Sequence, residues 1–105
     1  MKRWYKGNLH SHTTNSDGVW TPEQSAKNYR DAGYSFLCFS DHDLYTDYRR
    51  ELGEKNFLIL PGVEATAVLF DDEGNTVRLH HMNGIHGTES MKKVHWKVPF
   101  HIWKK

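Results

Sequence analysis

The sequence has too little cysteine to be a disulfide scaffold. Its one thiol, Cys38, excludes an intrachain bridge and suits a reducing compartment, so a cytoplasmic location is expected. No apolar run is long enough to span a bilayer. The opening Met1-Lys2-Arg3-Trp4-Tyr5-Lys6-Gly7 lacks the apolar core of a signal peptide, and no membrane partner is expected. Neither charge is in surplus. Fourteen Lys+Arg face thirteen Asp+Glu, a formal charge of +1, which gives no global pull toward nucleic acid or a charged surface. Internal repeats and low-complexity segments are also lacking. Apolar residues are scarce at 37%, so four Trp, five Tyr and five Phe must supply much of the buried area. In 105 residues there is room for one small domain with a modest core.

What the chain has in plenty is histidine, eight in all. Two of them, His10 and His12, lie two apart in Gly7-Asn8-Leu9-His10-Ser11-His12, with Asp17 five residues further on. A half-buried strand ordinarily carries Val, Ile or Phe at such alternate positions.

Along the chain, short apolar runs alternate with helical patterns. Trp4–His12 reads as a first strand that ends in the histidine-rich loop. Thr21, Pro22 and Gln24 announce a helix from Pro22 to Ala32, through a capping box and a first-turn proline, with Gly33 as its stop. Tyr34–Ser40 reads as a buried second strand, with Cys38 a small core residue, and it ends at Asp41-His42-Asp43. Tyr45, Tyr48 and Leu52 fall at helical spacing before Gly53. Phe57–Leu60 is a third strand, closed by Pro61-Gly62-Val63-Glu64. Ala65–Phe70 and Thr76–Met82 flank Asp71–Asn75 as a hairpin with a longer turn. After Gly87 the pattern dissolves, and Met91–Lys105 is basic and aromatic without a clear period. The expected organisation is therefore a domain over 1–87 and a tail over 88–105.

Strand, helix, strand, helix, strand is the signature of an α/β fold with parallel βαβ units, whose sites form at the carboxyl ends of the strands. The metal-capable residues obey that rule. Residues i and i+2 of a strand share a face, so His10 and His12 can hold one ion with Ser11 turned away. Glu64, after the third strand, can bridge two cations. Asp17 and His42 would complete a second or third ion. His80 or His81 lies near the end of the last strand, and a one-residue shift swaps their faces. Mixed nitrogen and oxygen ligation suits Zn, Mn or Fe. Ions about 3.5–4 Å apart can share a hydroxide and hold a phosphate oxygen, which is the chemistry of phosphoester hydrolysis. His86, His95 and His101 read more simply as surface or hydrogen-bonded residues. Asp41 reads either as a carboxylate that orients a metal ligand or as a helix cap for Leu44 onward, and Asp43 as polar surface.

The run His10-Ser11-His12-Thr13 followed by Ser16-Asp17-Gly18 resembles the first motif of the PHP (polymerase and histidinol phosphatase) superfamily. Ser40-Asp41-His42 is similar to its second motif, usually Thr-Asp-His, and Pro61-Gly62-Val63-Glu64 to its third. Tyr5-Lys6-Gly7-Asn8-Leu9-His10 and Tyr29-Arg30-Asp31-Ala32-Gly33-Tyr34 resemble the stand-alone metal-dependent phosphoesterase branch. The resemblance covers about residues 4–87.

It implies a distorted seven-stranded (β/α)7 barrel, of which this chain would be the truncated N-terminal part. It implies two or three divalent transition metal ions and hydrolysis of phosphate esters by metal-bound hydroxide. The substrate would be a phosphorylated small molecule or a nucleotide. Carried over residue by residue, His10, His12 and Glu64 resemble ligands of one ion, with Glu64 also the bridge to the next. Asp17 and His42 resemble ligands of a third position. His81 resembles the fourth-motif histidine, with His80 and His86 as rivals.

The resemblance also implies a later histidine and a C-terminal Asp-x-His motif; nothing in Met91–Lys105 reads as Asp-x-His, and His95 and His101 are substitutes that no motif supports. Metal binding with weak turnover is therefore expected, unless self-association or a complementing chain completes the site. The alternative is a non-catalytic metal-binding remnant that serves as an interaction or structural module. Trp96, Phe100 and Trp103 in the tail could cover an open sheet edge, and a nucleic-acid contact there is the lesser reading.

Overall fold

A computed structural model describes residues 2–87 and the backbone of 96–99. Three short strands, β1 (Gly7–Asn8), β2 (Phe36–Cys38) and β3 (Leu58–Leu60), form a parallel sheet in the order β1-β2-β3. Helix α1 (Pro22–Asp31) connects the first two, and the single turn α2 (Arg49–Leu52) lies before the third. A second sheet has the order β5-β4-β6. In it β4 (Gly62–Phe70) runs antiparallel to β5 (Thr76–Ile85) and parallel to β6 (Trp96–Pro99). Among the described residues the strands form these two sheets and no closed barrel. No described helix is long and apolar enough to cross a membrane.

Local chemistry accounts for α1. Thr21 Oγ1 accepts from the Gln24 backbone N–H, and Gln24 Oε1 accepts from the Thr21 N–H, which closes the expected capping box. The helix ends at Asp31, one residue earlier than its sequence suggests, and Gly33 takes the left-handed conformation (φ +87°) beyond it. Small residues Ser25 and Ala26 face inward. Ala26 packs in the main core with Leu37, Phe39, Phe57 and Ile59, ringed by the half-buried Tyr29, Tyr34, Tyr48 and Leu52. Cys38 is buried as well.

The first strand is much shorter than Trp4–His12. Beyond Asn8 the chain stays tied to its neighbour, but serines do the work. Ser40 N–H donates to the Ser11 carbonyl (2.8 Å), and Ser11 Oγ donates to the Cys38 carbonyl (2.7 Å). The second helix is also shorter than the spacing of Tyr45, Tyr48 and Leu52 suggests. Thr46 pairs with Gly62 through two backbone bonds (3.2 and 3.3 Å), which holds the preceding residues extended.

Pro61 is the joint between the sheets, with β3 ending at Leu60 and β4 starting at Gly62. The hairpin is longer than Ala65–Phe70 with Thr76–Met82, because Gly62–Glu64 also pair with Asn83–Ile85. Its turn is held by Asp71, whose carboxylate accepts from the N–H groups of Glu73 (3.0 Å) and Asn75 (2.9 Å). On one face of β4, Val63, Ala65, Ala67 and Leu69 are buried, with Tyr45 against Val63 and Ala65.

Strand β6 falls in the segment that shows no period in sequence. Four residues are too few to display an alternation, and the strand is defined by its partner, Ala67–Phe70. The rest of the expected tail, including His95, Phe100, His101 and Trp103, lies outside the described residues.

Candidate metal centre

Five segments deliver the polar residues to one place. His10 and His12 come from the run after β1, Asp17 from the loop beyond it, His42 from the turn after β2, and Glu64 and His81 from β4 and β5. The arrangement depends on one stretch of irregular pairing. Glu64 N–H donates to the Asp41 carbonyl (3.0 Å) and Asp43 N–H donates to the Glu64 carbonyl (2.9 Å), so His42 and Glu64 lie side by side.

Glu64 is the hub. Its residue is only 5% exposed, and among the described residues its ion-pair partners are all imidazoles. His10 Nε2 lies 2.9 Å from Oε1. His42 Nδ1, His12 Nε2 and His81 Nδ1 lie 2.8, 3.5 and 3.9 Å from Oε2. Asp17 forms a second, more exposed node, with Oδ1 3.3 Å from His12 Nδ1 and Oδ2 3.1 Å from His42 Nε2. His42 thus uses one ring nitrogen toward each carboxylate.

Among the described residues, three overlapping groups can hold an ion: His10, His12 and Glu64; His12, Asp17 and His42; His42, Glu64 and His81. The ligand atoms in each lie within 4.8 Å of one another. Bonds of about 2.0–2.1 Å to a tetrahedral ion place neighbouring ligand atoms about 3.3 Å apart. The 3.0 Å between His10 Nε2 and His12 Nε2 falls near that spacing. Glu64 Oε2 and His12 Nδ1 are buried without a hydrogen-bond partner, close to other polar atoms but not aligned with them. A buried acceptor left so is costly unless something else satisfies it, and donors converging on a shared cation would. The residues present therefore fit a metal.

The register of the hairpin separates the candidate histidines on β5. His81 pairs with Thr66 and shares the face of Glu64, whereas His80 pairs with Ala67 and belongs to the other face. His86 has a left-handed backbone (φ +57°), donates its N–H to the Pro61 carbonyl (2.7 Å) and is in none of the three groups.

Both flanking aspartates are tied to threonines. Asp41 caps no helix, since α2 begins at Arg49. Among the described residues its hydrogen bonds reach no histidine. Its buried carboxylate accepts from Thr13 N–H (2.7 Å), Thr13 Oγ1 (2.9 Å) and Ser16 Oγ (2.7 Å), and so holds the loop between His12 and Asp17. Asp43 is not idle polar surface. It accepts from Thr66 N–H (2.7 Å) and Thr66 Oγ1 (2.8 Å) on β4.

Asn83 also belongs to the centre and was not anticipated. It pairs with Glu64 across the hairpin, and its side-chain amide lies 3.1 Å from His10 Nδ1. The available signal was its place two residues after His81, on the same strand face.

Compared with protein-family models, with curated proteins and with solved structures, the chain gives no match.

Proposed function

We propose that the chain is a metal-dependent phosphoesterase domain of the PHP type, corresponding to the N-terminal part of the barrel. The observation that carries this reading is Glu64, a buried carboxylate ringed by His10, His12, His42 and His81 with one oxygen left unsatisfied. The parallel order β1-β2-β3, with the polar residues gathered beyond the strands' carboxyl ends, is what the opening strands of a β/α barrel would provide.

His10, His12 and Glu64 would hold the first ion, with Glu64 shared with a second at His42 and His81. His12, Asp17 and His42 offer the third position. Bound Zn, Mn or Fe would supply Lewis acidity toward a phosphoryl oxygen and acidify water toward neutral pKa. Asn83, whose side-chain nitrogen lies 3.1 Å from His10 Nδ1, would orient the His10 ring toward the ion. Two carboxylates among six ligands offset only part of the charge of two divalent ions. The loaded centre is therefore cationic and attracts a dianionic phosphate monoester. His10, Asp17 and His81 are exposed, which leaves the centre open to a phosphorylated small molecule or a nucleotide.

Each ion prefers at least four ligands, and the six candidates among the described residues share theirs. A second copy or a complementing chain would supply the rest, and β5, an exposed strand at the sheet edge, offers it a place to pair. The test is metal analysis of the purified chain, its solution mass, and hydrolysis of an aryl phosphate with added Mn or Zn. Metal uptake with hydrolysis abolished by chelation supports the proposal. Hydrolysis that survives exhaustive chelation overturns the metal mechanism. Uptake without hydrolysis in any assembly state favours a non-catalytic metal-binding module.

A further inference from the structure

We propose that Asp41 and Asp43, on either side of His42, are positioning residues that each set one half of the metal centre. Asp41 sets the half built by His12 and Asp17, and Asp43 the half built by Glu64 and His81. The proposal rests on the metal-binding reading above.

The two carboxylates make the same grip. Each takes the backbone N–H of a threonine on one oxygen and the hydroxyl of that threonine on the other: Thr13 for Asp41, Thr66 for Asp43. Bidentate, charge-assisted contacts of this kind fix direction as well as distance. Thr13 follows His12 in the chain, and Ser16, the third donor to Asp41, precedes Asp17. Thr66 lies two residues from Glu64 on the same strand face and pairs directly with His81. Each clamp is thus one residue or one strand row away from the ligands it would govern.

Asp43 reaches Thr66 because its own backbone is left-handed (φ +52°), a conformation that Asp and Asn tolerate better than most residues. The same bend lets its N–H meet the Glu64 carbonyl. His42, held between the clamps, turns Nδ1 to Glu64 and Nε2 to Asp17, so it belongs to both halves. Ligands must be held to within about 0.5 Å to bind well. Loosening one clamp should therefore weaken one group and spare the other.

The variants are Thr13→Val and Thr66→Val, which delete each hydroxyl at constant volume, with Thr13→Ser and Thr66→Ser as restorers. Asp43→Asn joins them because it keeps the left-handed tolerance. The metal-free full chain is titrated with cobalt, read by its visible absorption and by equilibrium dialysis, with thermal unfolding of the metal-free protein in parallel. Thr66→Val and Asp43→Asn should each weaken one class of cobalt uptake about 10- to 100-fold. That loss should be non-additive with His81→Ala and additive with Asp17→Asn. Thr13→Val should show the reverse pattern, and both serine variants should recover wild-type affinity. Equal weakening of all uptake by both valine variants, or no weakening, overturns the positioning roles, whatever happens to the unfolding temperature. A wild-type chain that takes up no cobalt overturns the metal reading itself and this proposal with it.

Discussion

Replacing Glu64 by Gln tests the centre at its hub, because Glu64 belongs to two of the three ligand groups. The change keeps shape and removes a charge and a metal-binding oxygen. Apparent zinc-binding free energies of about 10–16 kcal/mol, spread over four ligands, give about 3 kcal/mol per ligand. That corresponds to roughly two decades in affinity for each ion that Glu64 would hold. The consequence for stability follows by linkage. A ligand at 100 times its dissociation constant stabilises a fold by about 2.7 kcal/mol. If the constant rises 100-fold, the same concentration contributes only about 0.4 kcal/mol. For a chain of this size each kcal/mol moves the midpoint by roughly 4–8 °C. Zinc should therefore raise the wild-type midpoint by roughly 10–20 °C and that of Glu64→Gln by only about 2–3 °C.

The metal-free state supplies the control. Glu64 is buried, and its Oε2 has no hydrogen-bond partner. Glu64→Gln removes the desolvation cost of the buried charge together with its histidine ion pairs, and the two effects oppose each other, so the metal-free midpoint should stay near that of the wild type. Scanning fluorimetry with and without zinc, together with dialysis stoichiometry, reads both quantities. An unchanged zinc-induced rise in Glu64→Gln would refute the hub assignment. A large fall in its metal-free midpoint would show that Glu64 serves the fold through its histidine pairs instead.

Two further outcomes are expected. An added Cβ at Gly18 would run into the His12 carbonyl and the Thr13 nitrogen, backbone atoms that cannot yield without moving His12. Gly18→Ala should accordingly lower cobalt affinity at least 10-fold in the group with Asp17, measured by dialysis. Burial pushes the Cys38 thiol from its ordinary 9.0 up to about 11. The unfolded thiol loses its proton first, so stability should fall as pH rises from about 9 to about 11. Cys38→Ala should flatten that slope in denaturant titrations, and a thiol reagent at pH 8 should label only the unfolded chain.

What the sequence discloses and what it hides divide along a physical line. Helix α1 is legible to within a residue because its start is written in four adjacent positions, Thr21 to Gln24, which bond to one another. The gathering of His10, His12, His42 and Glu64 is legible because parallel strands deliver their ends to one side. The grip of Asp41 on Thr13 and of Asp43 on Thr66 is not, because the partners lie 28 and 23 residues apart. Strand β6 is hidden for a related reason. Its four residues pair with Ala67–Phe70, and the pairing, not a pattern of its own, makes it a strand. Local bonds can be read forward along a chain, whereas contacts made across sheets need the register first.

The register is decided by one irregularity. Phe70 pairs with Thr76 at the turn, but Leu69 pairs with Arg78, so Val77 is an extra residue in β5. Counted straight from the turn without it, His80 would oppose Thr66 and stand on the face of Glu64. With it, His81 takes that place and His80 opposes Ala67. Sequence leaves the two histidines as rivals because nothing in Phe70–Val77 announces the bulge. The bulge makes a definite prediction. His81→Ala should remove the cobalt uptake that depends on His42 and Glu64, about 100-fold by the same per-ligand reasoning, while His80→Ala should leave uptake unchanged. Deleting Val77 closes the bulge but keeps every pair from Leu69 onward, so that variant should still depend on His81. Dependence on His80 in either background would mean that the hairpin pairs one residue out of this register, with the opposite face of β5 turned to Glu64.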